Sequence, residues 1–384
     1  MKQCDIIKLC RKTILTFWSC DRYSALRWKG TTNMKTVAII GCGRIANGAH
    51  LPALSKMDNV RIKYACDIIE QKAEKARESF PKIEEVITDY NIALNDPEVD
   101  AVFVLTPNYS HYTVTMDALR AGKHVMCEKP ITVSYDLSRE MAELANKKGL
   151  MLNIGVCNRH NAAVAKLAEM NANGEFGNIY HVVCSFRQCR SIPGLGGAFT
   201  DKKQSGGGVL IDWGVHFLDL ILYILGYPTL KSASCATYSE MAKDMKSYKY
   251  KSMWAEDTKD VENGVNDVDD FVSGFVRTSA ASISLNGAWA QNVSKGEMYI
   301  DFLGDKKGAR LDYCSLFNLF DGDNMTETRP EIAIPDMYLC EDRAFLEAID
   351  SGVKDKNNID YVINSQKLLD TLYRSAELGD EIKL

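Results

Sequence analysis

The sequence predicts an α/β protein: an N-terminal Rossmann domain with a doubly wound parallel sheet, and a C-terminal α+β domain with a large, mostly antiparallel open sheet. Three observations predict it. Short apolar runs alternate with helical patterns from residue 35 to 156, the order that builds a parallel sheet with right-handed crossovers. A glycine-rich turn, Gly41-Cys42-Gly43-Arg44-Ile45-Ala46, directly follows the first of these runs. Beyond residue 160 the pattern shifts to strand-like alternation, as expected of a sheet with one face buried and one free. A chain of 384 residues is also longer than one ordinary core.

Each element has its own signal. Thr36–Ile40 is a continuous apolar run closed by glycine, and a helical segment follows to about Met57. Val60–Cys66 reads as a second strand ending at Asp67. Glu70–Ser79 is rich in Ala, Glu and Lys and suits a helix. Asp100–Leu105 is apolar and closes on Thr106-Pro107-Asn108. A helix over His111–Ala121 stops at Gly122, and a short strand His124–Cys127 follows. Ser134–Lys148 is an amphipathic helix ending at Gly149, before a strand at Met151–Val156. In the second half, a helix from Ala162 to Met170 precedes a strand at Tyr180–Arg187. Ser191–Gly208 is glycine-rich loop, and Val209–Leu225 reads as helix. Phe271–Arg277, Ala281–Ala290 and Glu297–Leu303 read as strands of a meander. Residues 239–268 are polar and carry no clear period, and Glu341–Asp350 and Tyr361–Leu378 close the chain as helices.

The expected domains are therefore 35–156 for the Rossmann unit, 157–338 for a substrate and oligomerisation unit, and 339–384 for helices that close the pair. Residues 1–33 hold three cysteines, two tryptophans and a basic excess without pattern. They read as a disordered extension or a misassigned start, with Met34 as the natural first residue. Charged residues make up 25% of the chain and the net charge is −5, which offers no footprint for nucleic acid. No apolar run has the roughly 18–20 residues of a membrane span. The twelve cysteines contain no CxxC pair, so neither a zinc site nor a disulfide framework is expected, and no metal is assigned. Buried thiols of a soluble, cytoplasmic protein are the simplest reading.

The glycine turn has a mechanical role. Its first glycine permits the tight turn, its second lets backbone approach a pyrophosphate, and Ala46 lets helix and strand pack closely. Unpaired N–H groups at the helix start favour phosphate. Asp67, at the end of the second strand, can accept hydrogen bonds from both ribose hydroxyls and repels a 2′-phosphate. No arginine follows it, so NAD is expected rather than NADP. Two further clusters carry chemistry. Glu128-Lys129-Pro130 follows a short strand, and so lies at the C-terminal sheet edge where ligands bind. Asp212 and His216 are four apart, on one helix face. Taken alone, Lys129 reads as a surface charge and the Asp212/His216 pair as a helix hydrogen bond.

Together these segments resemble the Gfo/Idh/MocA family of NAD(P)-dependent oxidoreductases, the glucose–fructose oxidoreductase and inositol dehydrogenase group. The resemblance rests on the GxGRIA turn, Thr106-Pro107-Asn108 with His111, Ala121-Gly122-Lys123-His124-Val125 leading into Glu128-Lys129-Pro130, and the glycine-rich stretch ending in DxGxHxxD at Asp212–Asp219. It covers the chain from about Lys35 onward. It implies catalytic roles for Lys129, Asp212 and His216. It implies a cofactor site of Gly41, Gly43, Arg44, Ile45, Asp67, Thr106, Pro107, Asn108, His111, Glu128 and Lys129. It also implies substrate contact at Arg159, and oligomers, a homodimer or homotetramer, that use the open sheet face. Arg187 stands beside the glycine-rich loop, within reach of a hydroxyl-rich substrate. The residue types suit oxidation of a secondary alcohol of a sugar, inositol or related polyol. His216 serves as acid/base, Lys129 stabilises alkoxide charge, and Asp212 orients or binds a neighbouring hydroxyl. Two alternatives stay open: an NAD-dependent glycosidase using transient sugar oxidation, and a dinucleotide-binding sensor without chemistry.

Overall fold

Backbone pairing divides the strands between two sheets. The computed structural model describes residues 33–253 and 255–384, so the expectation for residues 1–33 lies, Asn33 apart, outside the described residues. The first sheet holds β1 (Lys35–Ile40), β2 (Val60–Cys66), β3 (Ile83–Ile87), β4 (Ala101–Val104), β5 (His124–Glu128) and β6 (Leu152–Gly155). All pairings are parallel, in the order β3-β2-β1-β4-β5-β6. Strand order reverses between β1 and β4, which opens a crevice at their C-terminal ends. Both faces of this sheet are buried, by one cluster around Val102, Val104 and Leu119 and another around Ile39, Phe103 and Leu51. That is why its strands read as unbroken apolar runs.

The second sheet holds β7 (Ile179–Arg187), β8 (Leu230–Tyr238), β9 (Phe271–Thr278), β10 (Ser282–Ala288), β11 (Glu297–Gly304), β12 (Lys307–Asp312), β13 (Phe317–Asp321), β14 (Thr326–Thr328) and β15 (Ile382–Lys383). Its order is β14-β13-β12-β11-β7-β10-β9-β8-β15. The expected meander is corrected at one point: β7 is inserted between β10 and β11 and runs parallel to β10. One face is apolar, with Val182, Cys184 and Phe186 of β7 buried against helices. The other carries His181, Ser185, Arg187, Phe275 and Tyr299, with no helix over it among the described residues. Strands β3, β8 and β12 to β15 escape the sequence pattern. β8 (LKSASCATY) is small and polar, and β3 (IEEVI) pairs its apolar ends around two glutamates.

The helix that faces the second sheet is the most apolar in the chain. The segment Lys202–Ile224, a short helix to Ser205, a bend through Gly206–Gly208 and helix from Val209 onward, has the length and mean hydropathy, 1.5, of a membrane span, which exceeds the sequence expectation, yet 83% of that window is buried inside the protein. It is a core segment. A five-residue π-turn, Leu210–Gly214, precedes its regular part, Val215–Ile224. The two C-terminal helices bind the units together. Met337–Ser351 puts Phe345 edge-on to Phe103 of β4. Ile359–Leu378 contributes Ile359 and Val362 to the core of the first sheet and Leu368, Leu369 and Leu372 to the core of the second.

A buried ion pair fastens the same junction. Arg159 is 0% exposed. It donates from Nε and Nη2 to both oxygens of Asp219, at 2.8 and 2.7 Å, and from Nη2 to the Tyr361 carbonyl. Ser365 of the last helix donates to Asp219 as well. Arg159→Met leaves a buried carboxylate with no cation, and its expected cost is about 3–5 kcal/mol. Urea unfolding checks this; a loss below about 1 kcal/mol would contradict the assignment.

Candidate active site

The crevice between β1 and β4 is lined by residues that follow strand ends. Gly41, directly after β1, has φ +98°, and a Cβ there would sit 2.6 Å from the Leu105 carbonyl oxygen. Only glycine fits that approach. A Cβ on Gly43 would meet nothing within 4 Å, so the backbone there faces open space. Ala46 is fully buried against the sheet. Asp67 follows β2 and accepts from the Cys42 and Ile69 amides at 3.0 and 2.9 Å. Its carboxylate is thereby fixed beside the glycine turn. Ile68 beyond it is 85% exposed, an apolar wall next to an anchored acid. The Thr106 hydroxyl, after β4, is buried without a partner. An open glycine cradle, an anchored carboxylate and an unpartnered hydroxyl on one sheet edge suit a dinucleotide.

β5 delivers Glu128 and Lys129 to the same edge. Glu128 is not turned toward the crevice, as the resemblance implies, but inward. One oxygen meets His50 Nε2 at 3.2 Å and the other accepts from the Lys129 amide at 2.9 Å. His50 Nδ1 meets Asp342 of the helix Met337–Ser351 at 2.8 Å. Burial opposes charge on His50, but Asp342 and then Glu128 hold its pKa well above the usual value, so it is an imidazolium between two carboxylates. Gly155, opposite Glu128 in β6, has no room for a side chain: a Cβ would lie 2.8 Å from Glu128 Oε1.

Lys129 then reaches across to the second unit, where its Nζ lies 3.7 Å from Asp212 Oδ1. Asp212 sits in the π-turn and His216 in the first turn of the helix after it. Burial pushes the Asp212 carboxyl up, while Lys129 and the Trp289 indole pull it down. Asp212 Oδ2 and Trp289 Nε1 are both buried; the indole is near enough to favour the carboxylate, but neither atom makes a hydrogen bond of normal geometry to a described residue. His216 is held well below its usual pKa by burial and by Lys129. It is neutral near pH 7, with Nδ1 3.3 Å from the Asn158 amide. A cation, a carboxyl with one unpaired oxygen and a neutral imidazole thus stand around one point at the junction of the two units. Such a set can bind adjacent hydroxyls and move a proton.

Other expected residues are placed differently. Arg44 is exposed at the turn and Ile45 packs partly into the core below it. Pro107 is exposed, and Asn108 donates to the Ser205 carbonyl at 2.8 Å, joining the loop after β4 to the glycine-rich stretch. His111 is buried with its nitrogens on the Pro130 and Thr106 carbonyls, at 2.8 and 2.9 Å. It braces the crevice from behind and has no free edge for a cofactor. Arg159 is enclosed as described, so a direct substrate contact is closed to it. Arg187 lies on the open face of the second sheet, paired to Glu297 at 2.5 Å. Sequence reasoning missed His50, Asn158, Trp289 and Tyr313 as parts of the site. Their partners are too far along the chain for any local spacing to reveal them.

Comparison with known proteins agrees with the two-sheet fold. Residues 35–156 match the model of an oxidoreductase family with an NAD-binding Rossmann fold, and residues 164–310 match the GFO/IDH/MocA C-terminal domain. The chain is similar to D-glucoside 3-dehydrogenase of Escherichia coli (strain K12), with 32% identity over 92% of this chain and 99% of that protein. Its fold is shared by an oxidoreductase domain protein from Kribbella flavida, with TM-score 0.79, 21% identity and coverage of 91% and 99%. It is also shared by levoglucosan dehydrogenase in complex with NADH and levoglucosan, with TM-score 0.77, 18% identity and coverage of 91% and 99%.

The open space before Gly43 gives a direct test. Gly43→Ala clashes with nothing in the protein, so its thermal midpoint is expected to stay within about 2 °C of the parent. Its affinity for a dinucleotide is expected to fall at least about tenfold, about 1.4 kcal/mol. Calorimetric titration with NAD measures this, and unchanged affinity would remove Gly43 from the site.

Proposed function

Since this chain belongs to the GFO/IDH/MocA family of oxidoreductases, we propose that it oxidises a secondary alcohol of a sugar, inositol or related polyol, with NAD as its partner. The observation that carries this reading is the convergence of Lys129 with Asp212 and His216, beside a buried Asp212 Oδ2 and Trp289 Nε1 that make no hydrogen bond of normal geometry to a described residue. The name of the full-length relative makes glucosides the first substrates to try. A nicotinamide bound along the crevice supplies the acceptor for the hydride. The chain's own residues do the rest. Lys129 holds the reacting oxygen and stabilises negative charge as it develops. His216, neutral at the outset, takes the hydroxyl proton. Asp212 keeps Lys129 in place and accepts from a neighbouring hydroxyl. Asp67 favours NAD, because its anchored carboxylate repels a 2′-phosphate. The uncovered face of the second sheet, with Tyr238, Phe275 and Phe320 exposed, supports a homodimer or homotetramer built on it.

Three outcomes are expected. Lys129→Met and His216→Ala each lower kcat by at least about a hundredfold while NAD still binds. A screen of glucosides, inositols and free sugars with NAD, read by absorbance of the reduced cofactor, measures this, and parental turnover in both variants would end the reading. The pKa of His216 is depressed by burial and Lys129, so the base stays unprotonated down to pH values below its usual 6.5. The acid limb of kcat/KM is therefore expected below pH 6.5. A limb above that value would mean another base. Asp67→Ala is expected to raise the kcat/KM ratio of NADP to NAD by at least about tenfold, about 1.4 kcal/mol. An unchanged ratio would place the ribose elsewhere.

A further inference from the structure

The imidazole of His216 can accept a proton from substrate only at a nitrogen that carries a lone pair and faces the cleft. Its Nδ1 does not face the cleft, because it lies 3.3 Å from the side-chain amide of Asn158. Nε2 has no hydrogen bond to any described residue. The position of the ring proton therefore decides whether the ring can act as a base, and Asn158 decides the position of the proton.

Asn158 is 4% exposed and sits in the turn Cys157–His160, directly after β6. Its amide touches three groups from two other elements: Nδ2 lies 3.3 Å from His216 Nδ1 and donates to the Tyr313 hydroxyl at 3.1 Å, and Oδ1 accepts from Cys314 Sγ at 3.3 Å. Tyr313 is rigid. Its ring stacks on Phe217 at 4.5 Å, and Phe217 stacks on Phe186 of β7 at 4.9 Å. Burial keeps both the phenol and the thiol in their protonated forms.

An asparagine amide offers an oxygen acceptor at one end and an N–H donor at the other, and the two ends occupy nearly the same shape. With the N–H end toward His216, the neutral ring keeps its proton on Nε2. Two donors, that N–H and the Lys129 ammonium, then share the cleft. With the carbonyl end toward His216, the oxygen accepts Nδ1–H and the Tyr313 O–H, and the amide N–H donates to the Cys314 sulfur. Every group is satisfied, and a lone pair on Nε2 meets the cleft.

We propose that Asn158 is a positioning residue that holds His216 in the Nδ1–H form: its amide turns end for end from the orientation above, so that its carbonyl accepts that proton, and its place is fixed by Tyr313 and Cys314. The inference rests on His216 being the base of the proposed reaction. In the step it prepares, the substrate O–H bond breaks and an N–H bond forms at Nε2, while the electron pair stays on oxygen. As the C=O bond forms, the carbinol hydrogen leaves with its bonding pair as hydride, for which a bound oxidised nicotinamide would be the acceptor. The ring ends as an imidazolium whose Nδ1–H still rests on the Asn158 carbonyl.

The test reads the tautomer directly. Protein labelled with 15N-histidine gives long-range 1H–15N correlations for its six histidines, and the His216→Gln spectrum identifies the signal of residue 216. The expected result for the unaltered protein is a protonated Nδ1 and a bare Nε2. A protonated Nε2 would overturn the proposal, and this reading needs no Asn158 variant to fold. In activity, Asn158→Leu is expected to lower kcat at least about tenfold with KM within about twofold. Asn158→Asp, which keeps an acceptor at that place, is expected to recover most of the loss. Equal loss in both variants, or none in Asn158→Leu, would reduce Asn158 to packing and overturn the proposal. If His216→Ala keeps parental activity, it is the proposed function that fails. If His216→Ala collapses and the tautomer is the other one, only this inference fails.

Discussion

The placement of Lys129 depends on a carboxylate that it does not itself touch with its ammonium group. Glu128 spends one oxygen on His50 and the other on the Lys129 backbone amide, and His50 passes the connection to Asp342 near the far end of the chain. The end of β5 is thereby tied to the turn after β1 and to the helix Met337–Ser351. A buried imidazolium between two carboxylates is costly to assemble, and removal of one member leaves its partner charged in the interior. Its value is in geometry. Lys129 leaves the sheet edge in one direction only, and that direction brings its ammonium to Asp212 in the other unit.

The same logic explains how much of the site could be read in the sequence. The glycine turn was legible because its requirements are local: a positive φ at Gly41, space at Gly43 and a small residue at Ala46 are all met within six positions. Asp212 and His216 were legible as a pair because four residues on a helix share a face. The parallel sheet was legible because strands buried on both faces are apolar throughout. His50 was not legible. Its partners are 78 and 292 residues away, and a lone histidine in a helical pattern signals nothing by period. Glu128 was misplaced for the same reason: its motif shows where the strand ends but not which way the acid turns. Arg159 was misplaced because Asp219, 60 residues on, satisfies it fully, and burial of an arginine cannot be read from its neighbours. The strand β8 was missed because a stretch of Ser, Ala, Cys and Thr has too little hydrophobic contrast for either period.

Both halves of the site use the same local device. The turn after β1 runs through a π-turn, Ala46–His50, and the glycine-rich stretch ends in another, Leu210–Gly214. A π-turn inserts one residue and rotates the rest of the helix about its axis, and it is found often at functional positions. In the first, the last residue is His50, aimed inward to Glu128. In the second, Asp212 sits within the turn and His216 just beyond it. In each case a glycine-rich approach reaches the helix without steric conflict: a Cβ on Gly208 would lie 1.9 Å from the Asp269 carbonyl oxygen.

The electrostatics of the cleft divide the work between two groups. Lys129 and burial keep His216 neutral, which ensures a free base but makes it a weak one. A weak base removes an alcohol proton slowly unless the alcohol is itself made more acidic. In the proposed reaction the ammonium that weakens the base would also acidify the alcohol, by stabilising the oxygen as charge develops on it. The two effects of Lys129 therefore oppose each other in the resting site and cooperate during reaction. Asp212 shares the ammonium; burial raises its own pKa, and Lys129, its only ion-pair partner among the described residues, offsets part of that rise. The three side chains form one charge system drawn from both units, and the helix Ile359–Leu378 joins those units by packing in both cores.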